Sequence, residues 1–242
     1  MLGKEGKLVN GTREEEKDTK IEKPLKGLKE AFFKLRNNVE LNQNEINALI
    51  RMVDEFTTVS LHCNTVGEDV VKIAKDVNVH HHTKTCKKYN QTCRFDYPRY
   101  PSYKTVISKP LKGSKLEIDK KIKMQEEVLS KMFEIIQKKE VLLNIMNGFE
   151  KVKETKDEHN EFIKKRIQKL CDLAGVSMEE YMAALSISKR GYKVILKRDI
   201  DELFVNSYND EWLRAWNGNM DLQICLDFFF CNHIHNRLLF KR

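Results

Sequence analysis

Apolar positions recur along this chain at helical spacing in several places, and the gaps between them divide it. Leu25, Leu28, Ala31, Phe32 and Leu35 share one face behind Pro24, which suits a first helical turn, so an amphipathic helix is predicted over 24–37. Asn42 with Glu45 forms a capping-box pattern, and Ile46, Leu49, Ile50, Val53 and Phe56 continue one apolar face to about Thr58. A short helix is expected over Glu68–Lys75, then an extended piece at Val77–Val79. From Leu116 to Asn147 the seven-residue spacing of Ile122, Leu129, Ile136 and Leu143 predicts one long helix, broken at Asn147-Gly148. A second, from about Phe149 to Leu173, would fold back on it as an antiparallel hairpin, ending at Gly175. Ser177 and Glu180 mark another capping box, opening a helix to about Leu185. Residues 191–198 alternate as a strand does, and Glu202–Tyr208 reads as a further strand.

The expected class is therefore α+β, predominantly helical, with a small His/Cys zinc-type loop, a long helical hairpin and a partial C-terminal α/β unit. The segments are a polar stretch at 1–22, helices over 23–62, the His/Cys loop with a basic aromatic arm over 63–112, the hairpin over 113–175, the α/β unit over 176–229 and a tail at 230–242.

Charge changes this picture in one region. The chain carries a net charge of +8, but between His80 and Met124 twelve Lys/Arg face only three acids, so the excess lies on and just after the His/Cys loop. A polyanion such as nucleic acid is the partner such a footprint suits. Six cysteines at 63, 86, 93, 171, 225 and 231 do not form a secreted disulfide framework, and the N-terminus lacks a signal-peptide core. These features point to an intracellular, reducing setting, and no apolar run reaches the ~20 residues needed to span a bilayer.

The candidate chemistry is concentrated in VHHHTKTCKKYNQTCRFDYPRYPS, residues 79–102. Imidazole and thiolate donors at His82, Cys86 and Cys93 can surround a zinc ion, with a fourth donor from His80, His81 or Cys63. A loop with little apolar content needs such a source of order, since structural zinc contributes ~10–16 kcal/mol to folding. Lys84, Lys87, Lys88 and Arg94 supply cations, and Phe95, Tyr97, Arg99 and Tyr100 alternate rings, a cation and prolines in a stiff arm suited to a phosphate backbone or unstacked bases. A metallonuclease using the histidine triplet with Asp96 or Asp221 is an alternative, as is an interaction protein whose helices over 116–173 hold a partner. His233-Ile234-His235 has a nuclease-like form, but seven residues from the C-terminus it has no supporting sheet.

Two separated blocks, HHHTKTC…CRFDYPRYPS and NSYNDEWLRAWNGNMDLQ, resemble the helitron helicase-like region of Helitron-type rolling-circle transposon replicases, which precedes a superfamily-1 DNA helicase. The second block contributes Asn209, Trp212, Trp216, Asn219, Asp221 and Gln223, whose role stays open. The resemblance implies DNA as the partner, single-stranded or at element ends, and a nuclear location. In such proteins the second block leads into a helix with a nucleophilic tyrosine, which is not found here. A one-base insertion near Phe230 would place that tyrosine helix in the neighbouring frame, making 230–242 an out-of-frame tail. No Gly-x4-Gly-Lys-Ser/Thr loop for nucleotide is present, Leu111–Lys115 having the wrong spacing. The expectation is a truncated replication protein that binds DNA through a zinc-stabilised loop without a complete catalytic site.

Overall fold

The computed structural model describes residues 27–87, 93–149 and 156–226, and the chain divides into two compact units, 1–51 and 52–242. The expectations for 1–22, for Lys88 and for the tail at 230–242 lie outside the described residues.

In the first unit, α1 (27–36) is followed by the start of α2 (Gln43–Phe56). Ala31, Leu35, Ile46 and Leu49 are buried, as their spacing predicts. The capping box is made: the Asn42 N–H donates to Glu45 Oε2 at 2.8 Å, and the Glu45 N–H donates to Asn42 Oδ1 at 3.0 Å. Lys34 Nζ stands 2.7 Å from the other Glu45 oxygen. Phe56, in the last turn of α2, is exposed.

The second unit is mainly helical: α3 (Cys63–Val66), α4 (Glu68–Val77), α5 (Lys115–Ile136), α6 (Lys139–Asn147), α7 (Lys156–Ala174), α8 (Met178–Leu185) and α9 (Asp210–Trp216). A three-stranded sheet in the order β2-β1-β3 joins β1 (Val106–Pro110), β2 (Ile187–Ser188) and β3 (Lys193–Ile195), with β1 parallel to β2 and antiparallel to β3. The α+β class is as expected. Strand β1 was not foreseen. Its buried Val106 and Ile107 pair with Ile195 and Val194, and its Ser108 hydroxyl donates to the Leu185 carbonyl at 2.6 Å.

The predicted hairpin is corrected to three helices. The chain leaves helical geometry at Lys138, and α6 restarts in a new phase. Leu143, placed inward by the seven-residue spacing, is exposed, and Ile145 is buried in its stead. Burying such a side chain contributes ~1.5–3 kcal/mol, and the turn bonds Lys138 N–H to Ile135 O and Val141 N–H to Lys138 O, each 3.0 Å, offset part of the broken ladder. Met132 and Ile136 of α5, Ile163, Ile167 and Leu170 of α7, and Tyr181 of α8 then close one core. Gly175 ends α7 at φ +65, the left-handed conformation glycine tolerates best, and the Ser177–Glu180 capping box opens α8.

The strand expected at 202–208 is also corrected. A 3-10 turn covers Ile200–Glu202, and the chain beyond it makes single bridges, Val205 to Val79 and Tyr208 to Thr58, rather than a ladder. Arg198 bridges to Ser102, and the Arg99 N–H donates to the Leu203 carbonyl at 2.9 Å. Residues 198–208 thus run as a buried strap held at both sides.

Glu45 carries a pH signature. Burial pushes its carboxyl up, but the Lys34 ammonium and the Asn42 N–H outweigh that, and its pKa lies below the usual 4.5. A depressed carboxyl contributes stability that is complete above the unfolded value and is lost as pH falls through the folded one. Glu45→Gln is expected to flatten the acid limb of stability below about pH 4.5, measured by denaturant unfolding at a series of pH values.

Candidate metal centre

Four side chains from one short stretch converge. The ligand atoms of His80, His82, Cys86 and Cys93 all lie within 4.8 Å of one another, with Cys93 Sγ 3.3 Å from His80 Nε2 and Cys86 Sγ 3.6 Å from His82 Nδ1. Zinc bonds of about 2.3 Å to sulfur and 2.0–2.1 Å to nitrogen, at a tetrahedral angle, separate an S and an N by about 3.5 Å. The two N···S separations, 3.3 and 3.6 Å, are close to that value. The group can hold a metal ion, and four protein donors leave no open position, the arrangement of a structural rather than a catalytic site.

Local backbone explains the convergence. After the single bridge at Val79, ring nitrogens of His80 and His82, two residues apart, come within reach of both sulfurs. His81 is exposed and not among the four. A turn at 84–87 brings Cys86 back, where the Thr83 N–H donates to its sulfur at 3.2 Å. Cys93 returns beside it because the Arg94 N–H donates to the Cys86 carbonyl at 2.9 Å. Burial first, then the charges of His82, His81 and Arg99, hold the His80 pKa below its ordinary value. Local desolvation and the Lys87 ammonium do the same for His82. Both shifts favour the neutral ring, the form that ligates a metal. Cys63, offered as an alternative donor, opens α3, is exposed and is not among the four groups.

The loop is seated on the strap. The His80 ring stacks on Tyr97 with centroids 4.4 Å apart, Tyr97 stacks on Phe204, and His82 meets Phe204 edge-on at 5.7 Å. The Tyr97 hydroxyl donates to Asn206 Oδ1 at 2.6 Å, and the His80 N–H donates to the Phe204 carbonyl at 2.7 Å. Beneath this stack Asn78, with 0% exposure, donates to the Asn206 carbonyl at 2.8 Å and accepts from the Met220 N–H at 2.7 Å. Sequence reasoning missed Asn78 and Phe204, since neither has a chemical signature apart from its long-range partners.

The arm after Cys93 differs from its expectation. Tyr97 is buried between His80 and Phe204, and the peptide to Pro98 is cis. The Tyr100 hydroxyl donates to the Leu129 carbonyl at 3.3 Å and its ring packs on the helical core. Neither ring is presented for a base, because both were needed to fix the loop to the body. Lys84, Lys87, Arg94 and Phe95 are exposed; the Arg94 guanidinium lies 4.6 Å from the centre of the Phe95 ring, and that of Arg99 5.0 Å from Tyr97.

The second block is a polar knot. Asn209 caps α9 by accepting the Trp212 N–H at 3.0 Å, Asn219 accepts from Asn206 Nδ2 at 2.9 Å, and Asp221 accepts from Ser207 and from Gln223. Trp212 and Trp216 are exposed. Asp96, with its side chain 87% exposed, and Asp221, engaged in the knot, stand outside the four-donor group, so neither completes a His/carboxylate centre with the triplet. No family model matches the chain, and neither does any curated protein or solved structure.

Asn78→Ala leaves the Asn206 carbonyl and the Met220 N–H without their partner. Each orphaned group costs about 1–3 kcal/mol, so the variant should lose about 2–6 kcal/mol in urea or guanidinium unfolding of the metal-loaded protein.

Proposed function

We propose that this chain is a DNA-binding portion of a Helitron-type replication protein, in which zinc clips a basic loop into a rigid contact surface. The observation that carries the reading is the convergence of two imidazoles and two thiols on one point, with Lys84, Lys87 and Arg94 exposed around it. The donor set of two nitrogens and two sulfurs is the chemistry zinc favours. In this reading the ion supplies order and no reaction step. Phosphate contacts come from the exposed cations, and Phe95, 42% exposed beneath the Arg94 guanidinium, is the ring on which an unstacked base can lie.

The resemblance of the two sequence blocks supports DNA, single-stranded or at element ends, as the polyanion. Asn206 and Met220 of the second block contact Asn78 beneath the first block and Tyr97 within it, which supports reading the two blocks together. Support for a binding role over nicking comes from the closed donor set, which leaves no coordination position for a phosphodiester.

The test is metal analysis of the purified chain beside single-stranded oligonucleotide binding at increasing salt. One equivalent of zinc is expected, with loss of both metal and DNA binding in Cys86→Ser and Cys93→Ser, and no strand cleavage. Lys87→Ala and Arg94→Ala should each keep the zinc and reduce the salt slope of log K by about 0.7. DNA binding unaltered by all four substitutions would overturn the reading, as would cleavage that depends on the bound ion.

A further inference from the structure

A second group of potential ligands lies apart from the Cys/His loop, at the other end of the strap. His62, just before α3, meets Asp199 and Asp201 at the 3-10 turn, and one ligand atom from each lies within 4.8 Å of the others. His62 Nε2 is 3.5 Å from Asp199 Oδ2, 3.7 Å from Asp201 Oδ1 and 3.5 Å from Glu202 Oε1. We infer that His62, Asp199 and Asp201 form a second divalent-cation site, of nitrogen and oxygen donors, which takes Mn²⁺ or Zn²⁺.

Three observations carry this. The first is that Nε2 of His62 is a buried atom with no hydrogen-bond partner, although carboxylate oxygens approach it from three residues. An imidazole packed for hydrogen bonding would draw one of them to about 2.7–2.9 Å. Separations of 3.5–3.7 Å are instead close to the edge of a coordination polyhedron, because two donors each about 2.1 Å from a common ion stand about 3.4 Å apart at the tetrahedral angle.

The second is charge. Asp199 has 0% exposure and Glu202 3%, while Arg166, itself buried, pairs with Asp199 Oδ2 at 2.5 Å. The other buried guanidinium nearby, Arg198, directs Nη1 to the carbonyls of Glu202 and Val205. Asp199 is paired with Arg166, while Arg198 turns its Nη1 to carbonyls instead, so three carboxylates gathered around one imidazole make a place that favours a further cation. Buried charges without compensation are costly.

The third is that the donors are held from behind, as ligands are in metal sites. Asp199 accepts the Ile200 N–H through Oδ1 at 2.6 Å and receives Arg166 on the other oxygen. Glu202 takes the Leu61 N–H at 2.8 Å and the Asp199 N–H at 2.8 Å, which fixes the backbone on either side of His62 and Asp199. The His62 ring is braced edge-on by His159 at 4.2 Å. Side-chain exposures of 16% for His62 and 25% for Asp201 leave one side through which an ion can enter. With three protein ligands this centre keeps a position for water, unlike the closed Cys/His group. Imidazole with carboxylates suits Mn²⁺ and Zn²⁺, whereas thiolates select against Mn²⁺, so Mn²⁺ separates the two sites.

The experiment titrates Mn²⁺ into the full chain preloaded with one equivalent of zinc, following loss of the free Mn²⁺ electron paramagnetic resonance signal, with thermal unfolding in parallel. One bound Mn²⁺ per chain and a raised Tm are expected. Asp201→Asn, at the partly open edge, should keep the fold by circular dichroism and weaken Mn²⁺ binding at least tenfold, and His62→Gln should act likewise. If the imidazole and carboxylates are balanced only by a proton, no Mn²⁺ binds to the zinc-loaded chain; that result overturns the proposal, as does Mn²⁺ binding unaffected by both variants. Neither result bears on the Cys/His group, whose zinc is assayed separately.

Discussion

A peptide segment taken out of water must find partners for its own N–H and C=O groups, and residues 198–208 find theirs on three stretches far away in sequence. Arg198 exchanges hydrogen bonds with Ser102, Leu203 accepts from Arg99, Phe204 accepts from His80, Asn206 pairs with Asn78, and Tyr208 pairs with Thr58. None of these is a regular ladder, yet together they place the strap between the helical core and the His/Cys loop. Leu203 packs with the α5–α8 core, Val205 and Tyr208 with Val59, Val70 and Leu213, and Phe204 with Cys86, Cys93 and Tyr97. One buried segment therefore belongs to three apolar clusters.

Side chains complete what the backbone begins. Tyr97, Asn206 and Asn219 form a continuous hydrogen-bonded chain from the ring beneath His80 to the loop after α9. Such a chain fixes a single arrangement, because an alternative would strand the buried Tyr97 hydroxyl or Asn206 amide. The Tyr208 hydroxyl donating to the Ser60 carbonyl anchors the far end in the same way.

What the sequence disclosed follows the range of the interactions. Helices α2 and α8 were legible with their starts, since the capping boxes Asn42/Glu45 and Ser177/Glu180 are local chemistry. Three metal donors were legible because they lie within twelve residues, and the fourth, His80, was one of three donors left open. Cys63 was suggested by its element alone. Strand β1 went unseen because the partners that make it a strand are at 187–195. Residues 202–208 alternate like a strand, but their partners are single residues on different segments, so the pattern was real and the ladder was not. The rephasing at 137–138 was hidden by a heptad spacing that fits an uninterrupted helix. The His62–Asp199–Asp201 group has no motif, since its members come together only through the fold.

The seat beneath the His/Cys loop also has a temporal meaning. The four donors fall within one short stretch of chain, so a growing polypeptide can close them round an ion by local motion alone. Their foundation is remote: the contact between Asn78 and Asn206 spans 128 residues, and that between Ser60 and Tyr208 spans 148. Contacts of such separation form late, because the entropy of closing the intervening chain is lost before they contribute anything. During synthesis from the N-terminus, the loop can thus exist for a period as a small preformed body, and the strap arrives afterwards to fit a surface that is already shaped.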